Sequence, residues 1–96
     1  MFTVFVLFKV RLSELDRFID VLSEAAQNTR NEPGNVFYDF SANEENPEEI
    51  FLFEGYLSRA DFEVHRNADY MKKFRDFISE CLLEPPKVIR GNQLAR

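Results

Sequence analysis

One histidine and one strand glutamate are the residues of this sequence best suited to acid–base chemistry. His65 is the only histidine among the 96 residues, and the ordinary pKa of its side chain allows proton exchange near neutral pH. It follows Phe62 by three residues in a predicted helix, so both side chains lie on one face. We expect His65 to be a general acid or base facing a pocket; the alternative is a polar core residue with locally satisfied hydrogen bonds.

Glu54 is the second predicted catalytic residue. It alternates with Ile50, Leu52 and Tyr56 along one face of an otherwise apolar predicted strand. A carboxylate in that position costs free energy unless it is paired or reaches a cavity. A contact with His65 would orient the imidazole and raise its basicity. The alternative is a position at the sheet edge with access to solvent.

Three further side chains could bind a substrate. Asn35 directly follows Gly34, so its amide could donate a hydrogen bond to a substrate oxygen or could instead stabilise the turn. Tyr56 and Tyr70 carry phenolic hydroxyl groups that could serve as donors, as could Tyr38, although buried tyrosines often satisfy this group locally.

Several kinds of site and partner have no support in the sequence. One histidine and one cysteine, Cys81, without an acidic cluster at ligand spacing, argue against a metal site. No glycine-rich phosphate loop is present, and a net charge of −5 without a basic stripe argues against nucleic acid. No signal peptide is recognisable, and the apolar start is too short to cross a bilayer, so we expect a cytoplasmic protein without membrane contact. Proton transfer in an apolar cavity, with no cofactor, is the chemistry that remains.

The elements that must position these residues follow from periodicity and turn residues. The predicted elements are a strand over 2–10, a helix that Ser13 opens with Asp16 in a near capping box, strands over 35–42 and 50–57, a second helical region that Ser58 and Asp61 cap and that breaks at 67–69, and a last strand from Val88. This β-α-β-β-α-β order predicts an α+β, ferredoxin-like fold with helices on one face of an antiparallel sheet.

A second subunit is expected on the other face of that sheet. Both faces of the first strand are largely apolar, and eleven phenylalanines suggest two apolar surfaces, with either a subunit interface or an aromatic-lined cavity. We therefore predict a homodimer built from a single domain over 1–96, with its core at 2–90. Residues 91–96 are interpreted as a C-terminal tail or an arm that reaches the partner.

Three short motifs resemble those of the antibiotic biosynthesis monooxygenase domain, a family of dimeric α+β barrels. They are Glu32-Pro-Gly-Asn-Val-Phe-Tyr, Phe51-Leu-Phe-Glu-Gly-Tyr and Phe62-Glu-Val-His65. In this resemblance His65 matches the family's helix histidine, Glu54 its strand glutamate and Asn35 the residue after the turn glycine. Many members have a second histidine where this chain has Tyr70, so that step would need the tyrosine or different chemistry. The absence of Trp disfavours the haem-degrading branch.

Three functions are considered, of which the resemblance implies the first two. The first is a cofactor-independent monooxygenase that oxidises a small phenolic, quinol or enolisable substrate with O₂. The second is an isomerase like that acting on phospho-autoinducer-2, in which Asn35 and Glu54 would hold an enediol. The third is a non-catalytic dimeric module that binds a small ligand.

Overall fold

Four antiparallel strands form one sheet, and helices cover one of its faces. The structure is a computed structural model that describes residues 1–95. Its elements are β1 (Phe2–Lys9), a 3₁₀ turn (Leu12–Glu14), α1 (Leu15–Arg30), β2 (Asn35–Ala42), β3 (Glu49–Tyr56), α2 (Arg59–Arg66), α3 (Asp69–Ile78) and β4 (Lys87–Asn92). The predicted ferredoxin-like order is confirmed, including the break between α2 and α3. No helix within residues 1–95 is long and apolar enough to cross a membrane.

The two predicted helix caps have different outcomes. Ser58 caps α2 as predicted, since its Oγ accepts a hydrogen bond from the Asp61 backbone N–H at 3.2 Å. The predicted cap at Ser13 is wrong: this residue lies inside the 3₁₀ turn, and no side chain among residues 1–95 caps α1. The tighter turn already uses the Leu15 backbone N–H, one of the donors that a Ser13 cap would bind, in a hydrogen bond to the Leu12 carbonyl.

The last strand is longer than predicted. β4 continues through Gly91 and Asn92, which pair with Thr3 and Phe2 of β1. These two residues therefore belong to the sheet and correct the predicted start of the tail at residue 91. Arg96, the end of that predicted tail, lies outside the described residues.

The strand order places Glu54 in the middle of the sheet. The order is β2-β3-β1-β4, and Glu54 of β3 stands between Val4 of β1 and Tyr38 of β2. Alternate side chains of each strand point toward the helices. They meet the apolar stripe of α1 and the inner faces of α2 and α3 in one core. Glu54 points into that core side and is 5% exposed, so the alternative of a solvent-accessible edge position is excluded.

The opposite face of the sheet is apolar and has no cover from residues 1–95. The rings of Phe5 and Phe53 are in tilted contact across β1 and β3 with their centroids 5.2 Å apart, and Phe51 lies beside Phe53. Phe53 is 45% exposed and Ile89 is 59% exposed. Exposed and half-buried apolar side chains on one face of a sheet are typical of a surface that another layer buries.

Candidate active site

A cavity of about 440 Å³ lies between the sheet and the helices. The four strands form one wall, with Tyr38 as the contribution of β2, and α2 and α3 form the other. Most of the lining is apolar, and the polar lining side chains include Glu54, His65 and Tyr38. Two of the predicted catalytic residues therefore share one apolar cavity, as the sequence led us to expect.

Glu54 is held in place by its neighbour on the same face of β3. The Tyr56 hydroxyl donates a hydrogen bond of 2.5 Å to Oε1 of Glu54, and Tyr56 is fully buried. Burial raises the pKa of Glu54 to about 7, although the Tyr56 hydrogen bond and the charge of Arg90 oppose this rise. A carboxyl group with this pKa can hold or release a proton near neutral pH.

His65 lies between two carboxyl groups. It is 2% exposed on the inner face of α2. Its Nε2 is 3.5 Å from Oε1 of Glu54, and its Nδ1 is 3.2 Å from the Glu32 carboxyl group. The predicted approach of Glu54 to His65 is present, and Glu32 supplies a second carboxyl group on the other side of the ring.

Glu32 and Tyr70 form the outer layer of this cluster. The Tyr70 hydroxyl donates a short hydrogen bond to Oε2 of Glu32 and lies 3.4 Å from Nδ1 of His65. It also contacts Thr29 Oγ1 at 3.2 Å. Tyr70, in the position where many relatives have a second histidine, therefore positions Glu32 and is not among the side chains that line the cavity.

The two catalytic candidates both favour their uncharged forms. Burial lowers the pKa of His65, while the charge of Glu32 and its hydrogen bond oppose this effect. Because the pKa of Glu54 is raised to about 7, the contact of 3.5 Å joins two neutral groups at pH values between the lowered pKa of His65 and about 7, and is not a salt bridge there. With the Nδ1 proton assigned toward Glu32, the Nε2 lone pair of His65 faces the Glu54 carboxyl group.

Tyr38 carries a buried hydroxyl group without a protein partner. This residue of β2 is 1% exposed and lines the cavity. Within residues 1–95 its hydroxyl has no hydrogen-bond partner, and burial raises its pKa well above 10.0. A protonated, unpaired phenol at a cavity wall is a donor that a ligand oxygen can satisfy.

Asn35 and Tyr56 serve mainly local structure. The Asn35 amide nitrogen donates to the carbonyl groups of Phe37 and Gly55 at 3.0 and 3.2 Å, where β2 carries an irregularity. Neither Asn35 nor Tyr56 is among the residues that line the cavity. Asn35 therefore stabilises the start of β2, and Tyr56 positions the Glu54 carboxyl group.

Sequence reasoning missed Glu32 as a site residue. It precedes the Pro33-Gly34 turn after α1, far along the chain from His65. The useful signal was its place in the Glu-Pro-Gly motif directly before β2, since that strand runs beside Glu54. Tyr38 was noted as a possible donor, but its lack of a protein partner depends on packing that spacing does not reveal.

Comparisons with known proteins identify the fold and the family of this chain. The antibiotic biosynthesis monooxygenase family model matches residues 1–76. A Mycobacterium tuberculosis protein is 26% identical with a TM-score of 0.94, covering 99% of this chain and 96% of that one. A Nitrosomonas europaea protein, provisionally named an antibiotic biosynthesis monooxygenase, is 23% identical with a TM-score of 0.94, covering 99% and 100% of the two chains.

A conserved protein of Methanosarcina mazei has the same fold, with 21% identity, a TM-score of 0.92 and coverage of 96% and 91%. No curated protein matches the chain. The structural likenesses establish the fold, and the family model covers most of the sequence, including β1 to α2 and both catalytic candidates. The chain therefore belongs to the antibiotic biosynthesis monooxygenase family.

Proposed function

We propose that this protein is a cofactor-independent monooxygenase that oxidises a small phenolic, quinol or enolisable substrate with O₂. The observation that carries the proposal is the contact between His65 and Glu54 at the base of an apolar cavity. An acid–base pair in a water-poor pocket favours reactions that begin by removing a substrate proton. A simple ligand-binding module needs no such buried pair, whose presence costs free energy.

The first step is removal of a proton from the substrate. Nε2 of His65 accepts it, and the imidazolium that forms lies between Glu32 and Glu54, 3.2 and 3.5 Å away. These carboxyl groups stabilise the positive charge that develops on the ring. The Tyr38 hydroxyl, which has no partner within residues 1–95, donates a hydrogen bond to the phenolate or enolate oxygen.

The second step forms the bond to oxygen. The substrate carbanion gives one electron to O₂, and the resulting radical and superoxide combine into a peroxide anion. His65 returns its proton to this anion, and the hydroperoxide loses water to leave a carbonyl group. For a CH₂ group the balance is R₂CH₂ + O₂ → R₂C=O + H₂O. The protein contributes a base, a fixed orientation and a dry environment.

An isomerase is the second candidate function. His65 and Glu54 are two proton-carrying groups 3.5 Å apart, and both line the same cavity. Such a pair could take a proton from one carbon and return it to its neighbour without O₂. The role expected for Asn35 in holding an enediol has weaker support, because its amide nitrogen is bonded to backbone carbonyls.

We also propose that the protein acts as a homodimer through the open face of its sheet. The exposed fractions of 45% for Phe53 and 59% for Ile89 support this arrangement, because a second copy would bury both side chains. The alternation of the strands places these residues on the face away from the cavity. The dimer contact would therefore leave the cavity accessible to substrate.

Parallel aerobic and anaerobic assays test the enzymatic proposal. Anthrone and a quinol are incubated with the protein while an oxygen electrode records consumption and chromatography follows the products. A monooxygenase uses one O₂ for each anthrone converted to the quinone and is inactive without O₂. Conversion of an α-hydroxyketone at the same rate with and without O₂ would instead support the isomerase, and no turnover of either would reject both.

A further inference from the structure

Arginine side chains surround the mouth of the cavity. Arg75 of α3 and Arg90 of β4 line it from the helix wall and the strand wall, and both are exposed. Glu54 and His65, which line the same cavity, are buried. Among the lining residues that the structure describes, three are arginines, including Arg66, and Glu54 is the one carboxyl group.

Arg75 and Arg90 are not engaged by acidic side chains. Within residues 1–95, no carboxylate oxygen lies within 4.0 Å of either guanidinium group, the distance that defines a salt bridge. Arg66, in contrast, lies 3.5 Å from Glu63. The Arg90 guanidinium lies 5.3 Å from the centre of the Phe62 ring. This cation–π contact holds the Arg90 charge beside the cavity. Two guanidinium groups at the mouth are therefore available to a ligand.

The charges of these arginines reach the base of the cavity. Arg90 opposes the rise that burial causes in the pKa of Glu54, and Arg75 adds to the fall that burial causes in the pKa of His65. The protein as a whole carries a net charge of −5, so its average field repels anions. The cavity is a local exception, because its lining carries three arginines and one carboxyl group, a balance of charge that favours anions.

We infer that the cavity takes small organic acids: a largely apolar molecule whose carboxylate or phosphate group lies between Arg75 and Arg90. The guanidinium groups match the planar oxygen pairs of these anions and bind them by charge-assisted hydrogen bonds. The apolar part fills the lining of β1 and α3. Only the position of the reacting carbon near His65 and Glu54 depends on the proposed function; the anion site stands on the arginines alone.

Binding measurements with matched naphthalene probes test this inference. Titration calorimetry compares 2-naphthoate with the neutral 2-naphthamide on the wild-type protein and on R75Q, R90Q and the double variant. We expect the acid to bind about tenfold more tightly than the amide, and added salt to weaken the acid alone. The double variant should lose this preference. Equal binding of acid and amide, or a preference that survives in the double variant, would overturn the inference.

Arg59→Gln is the matched control. Arg59 also has its guanidinium over an aromatic ring, at 5.7 Å from Phe2, but it is not among the residues that line the cavity. The R59Q substitution removes the same charge and should leave the preference for 2-naphthoate over 2-naphthamide intact. If R90Q unfolds because the Phe62 contact is lost, R75Q and the salt dependence of the wild-type protein still decide the outcome.

A third probe, 2-naphthyl phosphate, separates the two classes of acid. Tighter binding of the phosphate than of 2-naphthoate would identify phosphate esters as the substrate class, and the reverse would identify carboxylic acids. These measurements involve no turnover, so their outcome is independent of the oxygen assays. Acid binding without oxygen use would leave the anion site standing, whereas oxygen use with a neutral quinol and no acid preference would reject it.

Discussion

The Nε2 atom of His65 lies 3.5 Å from Oε1 of Glu54 inside the protein. Burial lowers the pKa of the first group and raises that of the second to about 7. Each group therefore favours its neutral form, with the carboxyl proton on Glu54 and the Nε2 atom of His65 free to accept a proton. This relationship determines how activity and stability should depend on pH.

Glu54→Gln should remove a pH-dependent step from the activity. Loss of the Glu54 proton leaves a carboxylate beside His65, which stabilises the imidazolium formed in the first step. Wild-type kcat should therefore rise with pH through about 7, the pKa of Glu54. Gln keeps the shape and still accepts the Tyr56 hydrogen bond, but it cannot titrate. The variant should be slower, by about 10²-fold or more, and its kcat should not rise through pH 7. If the rise persists in E54Q, another group causes it.

The same substitution should change how stability depends on pH. Glu54 has a pKa of about 7 in the folded protein and 4.5 as its ordinary value, so the folded state holds the proton more tightly. The protonated Glu54 therefore stabilises the folded state below pH 4.5. This contribution to the free energy of unfolding, about 3 kcal/mol, is lost as the pH rises through 7. The lowered pKa of His65 acts in the opposite direction below 6.5.

Urea unfolding of the wild-type protein and E54Q between pH 4.5 and 8 separates these two effects. The free energy of unfolding of E54Q minus that of the wild-type protein should increase with pH over this window, because the variant lacks the cost of ionising Glu54. A difference that stays constant with pH would mean that Glu54 titrates normally.

Tyr56→Phe should shift the rise of kcat to higher pH. The Tyr56 hydroxyl donates to Glu54 at 2.5 Å and lowers its pKa. Without this bond the carboxylate is less stable, so the midpoint of the rise in kcat should shift above 7. Tyr70→Phe is the control, because the Tyr70 hydroxyl bonds to Glu32 instead. A shift in Y70F equal to that in Y56F would show that the midpoint does not report the Tyr56–Glu54 bond.

Tyr38→Phe should reduce activity without reducing stability. Its hydroxyl is buried and has no partner within residues 1–95, so its removal should leave the free energy of unfolding unchanged or raise it by about 1 kcal/mol. If this hydroxyl stabilises the substrate oxyanion, kcat/KM should fall by about tenfold or more. A destabilised variant with full activity would contradict both parts. Thermal unfolding and initial rates on the same preparation provide the two readouts.

Most of the fold could be predicted from the sequence because periodicity and turn residues act locally. The break between α2 and α3 and the Ser58 cap were both predicted from short stretches of sequence. The start of α1 was not, since a 3₁₀ turn at residues 12–14 competes with a Ser13 cap at similar cost. The extension of β4 to Asn92 depends on pairing with the distant strand β1, which local rules do not contain.

The candidate site was predicted in part, because local sequence patterns identify some of its residues. Glu54 and His65 could be predicted as site residues because a lone polar side chain on an apolar face needs a partner. Their mutual contact, and the role of Glu32 on the other side of the ring, arise from the packing of α2 against the sheet. Asn35 was predicted to bind substrate from its place after the turn glycine. Its amide nitrogen instead bonds to nearby backbone carbonyls, as polar side chains beside turns often do.

Phe53→Glu should convert the proposed dimer to a monomer. Phe53 is 45% exposed on the open face of the sheet and contacts the Phe5 ring, so a carboxylate there would have to be buried in a dimer contact. Light scattering after size-exclusion chromatography should give twice the mass of the 11.3 kDa chain for the wild-type protein and the monomer mass for F53E. Leu57→Glu, at a position that is 67% exposed outside the sheet, should remain dimeric. A monomeric wild-type protein would contradict the proposal.

The most direct test of the central claim is exchange of substrate hydrogen for deuterium in D₂O under anaerobic conditions. It detects proton removal by His65 whether or not O₂ then reacts. The wild-type protein should accelerate exchange at the acidic CH₂ group of anthrone, followed by NMR, and His65→Ala should lose about 10²- to 10⁴-fold of that acceleration. Val64→Ala, at the neighbouring position that is 69% exposed, should exchange at the wild-type rate. Equal exchange rates in H65A and the wild-type protein would contradict the account.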